Sequence, residues 1–387
     1  MRVAGLFSGI GGIELGLQQA GHEVVAVGDI DVAARQVLSA HFPGVPVHQD
    51  IHELDRLPDC DILAAGFPCQ DLSPAGTTGG IGGSKSGVVA TLFSLLKDAP
   101  VRPDWVLLEN VPFMLHLHKG AAMRFLTTSL SDLGYRWAYR VVDTRGFGLP
   151  QRRRRVLVVA SLGGDPAAVL LQGNEKVEDR EFRADRACGF YWTEGNTGVG
   201  WAVDAVPPLK GGSGLGIPSA PAVWVPGGHF LTPDIRDAER LQGFPADWTT
   251  PADASDAARR KRWRLVGNAV SVPVARWLGE ALMSPGRPTG AGAGTTSAPD
   301  RWPDAGYGGL GTFVPAAAGP WPATVLQPHL VDFLIHEGRP LSLRAASGFL
   351  SRAQKSSLRF APGLLDALGH YVAASESVAS EERRKTA

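Results

Sequence analysis

Asp61-Ile62-Leu63-Ala64-Ala65-Gly66-Phe67-Pro68-Cys69-Gln70-Asp71-Leu72-Ser73-Pro74-Ala75-Gly76 is the stretch on which the reading of this chain turns. Residues 62–65 form an apolar run of strand length, and Gly66 and Pro68 break it at once. The run predicts a buried parallel strand, with Cys69 on the loop beyond its carboxyl end, the edge at which open α/β sheets bind ligands. A lone cysteine is ordinarily a small buried hydrophobe. Wedged between a strand end and a turn, the Pro-Cys-Gln triplet instead presents its side chain, and a thiolate there is a candidate nucleophile.

Upstream, residues 2–7, the run Ser8-Gly9-Ile10-Gly11-Gly12 and residues 13–20 predict strand, glycine loop and helix, with Gly21 as the stop. The next predicted strand, 23–28, runs into Asp29-Ile30-Asp31. Asp29 follows Gly9 by 20 residues, the spacing at which a Rossmann-like unit sets an acid on ribose hydroxyls. Downstream, residues 77–87 are rich in Gly, Ser and Thr and read as a lid beside the nucleophile. A helix at 88–96 follows, and a strand at 105–108 then delivers Glu109 to the same sheet edge as Cys69. The plain reading of Glu109 is a solvated strand end; facing a cysteine across a switch point, it is a candidate acid. Further strands are predicted at 139–143 and 155–160, so that Arg155 opens a buried strand, a poor place for a purely solvated charge.

Gly66-Phe67-Pro68-Cys69-Gln70 with Ser73 and Ala75-Gly76 resembles the catalytic loop of the DNA (cytosine-5) methyltransferases. Five further motifs stand in that family's order: Leu6-Phe7-Ser8-Gly9-Ile10-Gly11-Gly12, Glu109-Asn110-Val111, Gln151-Arg152-Arg153-Arg154-Arg155, Arg240-Leu241-Gln242-Gly243-Phe244-Pro245 and Gly267-Asn268-Ala269-Val270. Together they span roughly residues 1–283. The resemblance implies Cys69 as the nucleophile, Glu109 at N3 and the exocyclic amine of cytosine, Arg155 at O2, and Arg153 in support. It also implies S-adenosyl-L-methionine as cofactor. The residues agree, since the first loop lacks the full Gly-x-Gly-x-x-Gly and precedes no lysine, which disfavours a pyrophosphate or P-loop ligand. Cofactor contacts are expected from Phe7 on adenine, Gly9 and Gly11 at the methionine portion, Asp29 at ribose and Asp50 at the adenine amino group. Ser8, Ile10, Gly12, Ile30, Ile51, Gly66, Pro68, Asn268 and Ala269 are expected to complete the pocket.

The chain has 387 residues and a formal net charge of zero, enough length for two or three domains. Arg and Lys cluster at 152–155 and 259–264, either as solvated surface or as a face for nucleic acid. Three cysteines without a Cys-x-x-Cys pair, and scattered histidines, predict neither a disulfide framework nor a metal site and suit a reducing cytoplasm. No signal peptide or membrane span is expected.

The expected fold is α/β: a Rossmann-like methyltransferase sheet from 1–162 plus 263–283, a smaller irregular β-rich target recognition domain at 163–262, a linker at 284–300, and a separate helical extension at 301–387. The expected partner is double-stranded DNA, with a cognate restriction endonuclease or other defence proteins beside it in a restriction-modification or phage-defence setting. Two alternatives stay open: an RNA (tRNA) cytosine-5 methyltransferase, and a catalytically silent DNA-binding homologue.

Overall fold

The computed structural model describes residues 1–67, 87–192, 200–212, 220–252, 256–288, 299 and 301–386. Strand Arg2–Leu6 (β1) enters the glycine loop and helix Gly12–Gln19 (α1); Glu23–Gly28 (β2), Val32–His41 (α2) and Val47–His48 (β3) follow. Ile62–Ala65 (β4), Gly87–Asp98 (α3), Trp105–Asn110 (β5), Ala121–Asp132 (α4), Arg136–Asp143 (β6) and Arg154–Ser161 (β7) come next. The strands β3, β2, β1, β4 and β5 lie side by side and parallel. All residues of β4 and β5 are buried, which is why 62–65 and 105–108 read as continuous apolar runs rather than alternating ones.

The chain runs outward from β1 through β2 to β3 and then crosses back to place β4 on the other side of β1, so the order reverses between β1 and β4 and opens a crevice at their carboxyl ends. Beyond β5 the sheet turns antiparallel: β7 pairs with β5 and β6 with β7. Asn110 faces Val156 across that pair, so the start of β7 lies at the edge where β5 ends. An antiparallel strand thereby brings Arg155 to the crevice.

The chain continues through Pro166–Leu170 (α5), then Cys188–Phe190 (β8), Trp201–Val203 (β9), Ala222–Val225 (β10) and His229–Thr232 (β11). Helices Ile235–Leu241 (α6), Asp256–Asn268 (α7) and Val272–Met283 (α8) return it to the large sheet. There α8 lies against α1, with Gly16 facing Ala275 and Gly279 facing Ala20 and Leu17.

The C-terminal part overturns the expectation of a separate helical extension. Ala305–Gly309 (β12) pairs with β6, and Thr312–Pro315 (β13) with β12, so this segment completes the nine-stranded sheet. After Leu330–Phe333 (α9), Arg339–Pro340 (β14) pairs with β11 and becomes an edge of the five-stranded antiparallel sheet, ordered β14-β11-β10-β8-β9. Leu343–Gln354 (α10) and Leu364–Thr386 (α11) then cover it: Phe349, Leu364 and Leu368 are fully buried with Cys188, Phe190, Ala222 and Phe230. Phe349 stacks on Phe190 with ring centroids 5.1 Å apart. The physical reason is that an amphipathic helix must bury its apolar stripe and the small sheet offers an apolar face to take it.

Candidate active site

Phe7 (φ 56°), Gly9 (φ 55°) and Gly11 (φ 83°) turn the backbone from β1 into α1. Gly11 caps the helix in the left-handed region, and a Cβ there would lie 2.5 Å from the Phe42 ring, so glycine alone closes this turn. Asp29, just past β2, fixes the same loop: its carboxylate accepts the Gly9 N–H at 2.8 Å and the Asp31 N–H at 2.8 Å. Burial raises its pKa above the ordinary aspartate value, and those two N–H groups oppose the rise.

Phe7, Asp29 and Ile30 line two adjoining cavities. The first, about 300 Å³, is also walled by His48, Asp50, Ile51 and Leu54. Ile30 is 73% exposed, an apolar surface left open beside two acids, which suits a flat heterocycle with polar edges. Asp50 accepts the His52 N–H at 2.9 Å and so caps the turn that carries Ile51.

The second cavity, about 550 Å³, runs from Gly9 past Gly66 and Phe67 to Glu109, Asn110, Arg155 and Asn268. Glu109 Oε1 and Arg155 Nε pair at 2.8 Å, with side chains only 11% and 14% exposed. Burial lowers the Arg155 pKa, while the neighbouring Glu109 carboxylate holds it up. Asn110 locks the approach: its Nδ2 donates to the Phe67 carbonyl at 3.0 Å and its Oδ1 accepts the Val111 N–H at 2.8 Å. Phe67 directly precedes Pro68 and Cys69, which lie outside the described residues together with the expected lid, apart from Gly87 at the start of α3.

Several expected site residues serve from beneath rather than from the wall. Ser8 Oγ accepts the Gly28 N–H at 3.3 Å, Ile10 is fully buried with its carbonyl accepting Trp248 Nε1–H at 2.9 Å, and Gly12 abuts the Val270 carbonyl. Ala269 is likewise buried. Arg153, expected among the catalytic residues, is 1% exposed and donates to the carbonyls of Leu209 at 2.8 Å, Gly267 at 3.2 Å and Ala269 at 2.7 Å. It clamps the Gly267-Asn268-Ala269 turn and does not line the cavity. Gly267 lies so close to Lys210 that a Cβ would sit 2.1 Å from its carbonyl carbon, which explains the glycine in that motif.

Sequence reading missed the polar network behind this turn. Gln151 Nε2 donates to the Leu241 carbonyl at 2.8 Å, and its Oε1 accepts the Leu209 N–H at 2.8 Å. Gln242 donates to the Val266 carbonyl at 2.9 Å and accepts Ser271 Oγ–H at 2.8 Å. All three side chains are essentially buried; Gln151 and Gln242 stood inside motifs otherwise explained by charge or glycine, and Ser271 directly follows the last of them. Glu14, 1% exposed within α1, was missed as well; burial raises its pKa to about 7.

A family model described as C-5 cytosine-specific DNA methylase matches residues 1–188 and 231–284. The type II methyltransferase M2.BsuMI of Bacillus subtilis (strain 168) is 51% identical over 367 residues, covering 92% of this chain and 94% of that one. The type II methyltransferase M.NgoBI of Neisseria gonorrhoeae is 33% identical over 299 residues, 70% of this chain and 89% of its own length. In three dimensions the chain is similar to Schizosaccharomyces pombe (S. pombe) Dnmt2 methyltransferase, with a TM-score of 0.52 and 18% identity over 73% of this chain and 98% of that one. That likeness speaks for the fold. Among the described residues no helix is long and apolar enough to cross a membrane. The family match spans most of the chain and coincides with the two segments that build the crevice, and on that ground the chain belongs to the C-5 cytosine-specific DNA methylases and is a DNA (cytosine-5) methyltransferase.

Proposed function

We propose that this enzyme methylates carbon 5 of a cytosine extruded from a specific duplex sequence, using S-adenosyl-L-methionine and a covalent Cys69 adduct. The observation that carries the reading is the nearly buried Glu109–Arg155 pair, set on the second cavity beside the backbone that leads into Cys69. Carbon 5 of cytosine attacks an electrophile only after the ring becomes an enamine, and addition of the Cys69 thiolate at carbon 6 makes it one. Glu109 hydrogen-bonds N3 and the exocyclic amine and manages the proton that neutralises the ring, while Arg155 holds O2 and keeps Glu109 oriented. Loss of the carbon 5 proton to a base and departure of Cys69 then restore the aromatic ring.

The first cavity fits the cofactor's adenosine: Phe7 and Ile30 offer apolar faces, Asp29 an acceptor for ribose hydroxyls, and Asp50 one for the adenine amino group. When bound there, S-adenosyl-L-methionine supplies an electrophilic methyl group on sulfur. Extruding the base costs a few kcal/mol, roughly what duplex unpairing demands, and DNA contacts outside the pocket must offset it. The type II designation of the relatives supports a restriction-modification setting with a cognate endonuclease as partner. Incubation with methyl-labelled cofactor and either duplex DNA or tRNA tests the reading. Label should appear at carbon 5 of cytosine in duplex DNA and be lost in Cys69→Ser; label in tRNA alone would overturn it.

A further inference from the structure

A cavity of about 600 Å³ separate from the cleft is lined by His116, His118, Lys119, Arg124 and Arg301, and among the described residues no acidic side chain lies on its wall. We infer that it is a cradle for backbone phosphates of the substrate duplex, a contact that rests on the DNA-methylation reading and adds a docking point to it.

Three observations set the cradle where DNA must pass. First, topology: β5 ends at the cleft and α4 begins at that same edge before running back toward β6, so the segment between them lies beside Glu109. Gly120 follows Asn110 by ten residues, which span at most ~35 Å even if fully extended. At ~3.4 Å of helix axis per nucleotide step, the cradle therefore falls within about one turn of DNA from the target base.

Second, the backbone that carries His118 and Lys119 is held in place. His118 (φ 50°), Lys119 (φ 57°) and Gly120 (φ 78°) form a left-handed turn. Their N–H hydrogen bonds fix it: Lys119 to the His116 carbonyl at 3.1 Å and Gly120 to that of Leu117 at 3.0 Å, with the Ala121 N–H reaching His118 at 3.2 Å.

Third, Arg301 is delivered from the far end of the chain by an anchor. Trp302 is 2% exposed and donates its Nε1–H to the Gly120 carbonyl at 3.1 Å. It packs edge-on against Tyr139 and Phe313. A buried tryptophan thus pins an exposed arginine against the rim of a basic hollow. The charge balance points to a polyanion, and Lys and Arg on phosphates position a duplex without reading its sequence.

The test compares wild type with Lys119→Gln/Arg124→Gln/Arg301→Gln, measuring duplex affinity against salt concentration and turnover at saturating DNA. Each phosphate contact contributes about 0.9 to the slope of log K against log salt, so the triple variant should lower that slope by about 2 to 3. Cognate and unrelated duplexes should be weakened alike, with turnover at saturation unchanged. An unchanged slope in a variant that methylates normally overturns the cradle. Absence of methylation by the wild type would instead strike the proposed function, so the two failures are distinguishable.

Discussion

The two sheets of this enzyme are closed in different ways. The parallel half of the large sheet is covered mainly by its own crossover helices, each within a few dozen residues of the strands it packs on, with α8 as the one cover that returns from far along the chain. The small sheet is covered by α10 and α11, and β14 completes its edge, all of them more than a hundred residues from β8. The crevice is therefore built largely by residues 7–155 and closed by one returning segment, 265–268, whereas the module expected to read the target is finished only by residues 339–386.

The largest test of that contrast is deletion of residues 339–387. It strips the cover from Phe190, Phe230 and Ala222 and removes β14, so methylation of specific DNA should be lost entirely. A milder version, Phe349→Ala, should cost about 3–5 kcal/mol in the unfolding transition that includes the small sheet. Cofactor affinity, measured by calorimetry, should stay near that of the wild type. Equal loss of cofactor binding would merge the two modules into one cooperative unit.

The two arginines flanking the start of β7 sharpen the comparison. Arg155→Gln should lower the chemical rate by ~10²–10³-fold with little change in stability, because it faces the cavity and the Glu109 carboxylate. Arg153→Met should do the reverse: three buried carbonyls lose their donor, at a cost of at least about 2 kcal/mol, with rate per folded molecule largely kept. Thermal melts together with single-turnover rates separate the two outcomes.

Glu14 tests the large sheet alone. Its pKa is raised by burial from 4.5 to about 7, so between these values the native state holds a proton that the unfolded chain has released. Stability contributed through this group therefore falls as pH rises across that window, by up to about 3 kcal/mol. Glu14→Gln should flatten that part of the stability profile between pH 5 and 7. A parallel profile in both proteins would show that Glu14 does not titrate there.

Asp29→Ala should have the smallest effect on binding, weakening cofactor by roughly 1.5–3 kcal/mol as a charge-assisted acceptor is lost. The Gly9 N–H also loses its partner, so part of the effect belongs to the loop rather than to ribose. Asp29→Asn, which keeps an acceptor for that N–H, should retain part of the affinity.

The first half of the crevice was legible in the sequence because its signals are local. Strand, glycine loop and acid recur within short windows, and the strands ending at Leu6, Gly28, Ala65 and Asn110 lie within two residues of their expected ends. Arg153 was expected to support the catalytic site beside Arg155, but its actual partners are carbonyls more than fifty residues away, which no short window contains. The chain end was misread for a related reason. Ala305–Gly309, AGYGG, has three glycines and no β-branched residue, so nothing in it announces a strand. Its place is set by Trp137 and Tyr139 of β6 and by Trp302, contacts that no short window contains. The helices α10 and α11 fall in the extension expected to be helical, but a helical pattern does not name the surface it will cover.

The most direct test of the central claim, that this crevice methylates cytosine through Cys69, is mass spectrometry of the enzyme incubated with cofactor and duplex DNA carrying 5-fluorocytosine at the target position. Fluorine at carbon 5 blocks the proton loss that releases the enzyme, so wild type should be trapped as a covalent complex through the peptide containing Cys69, and Cys69→Ser should give none. Turnover on ordinary duplex DNA by the serine variant, or methylation by the wild type with no trapped complex, would contradict the account.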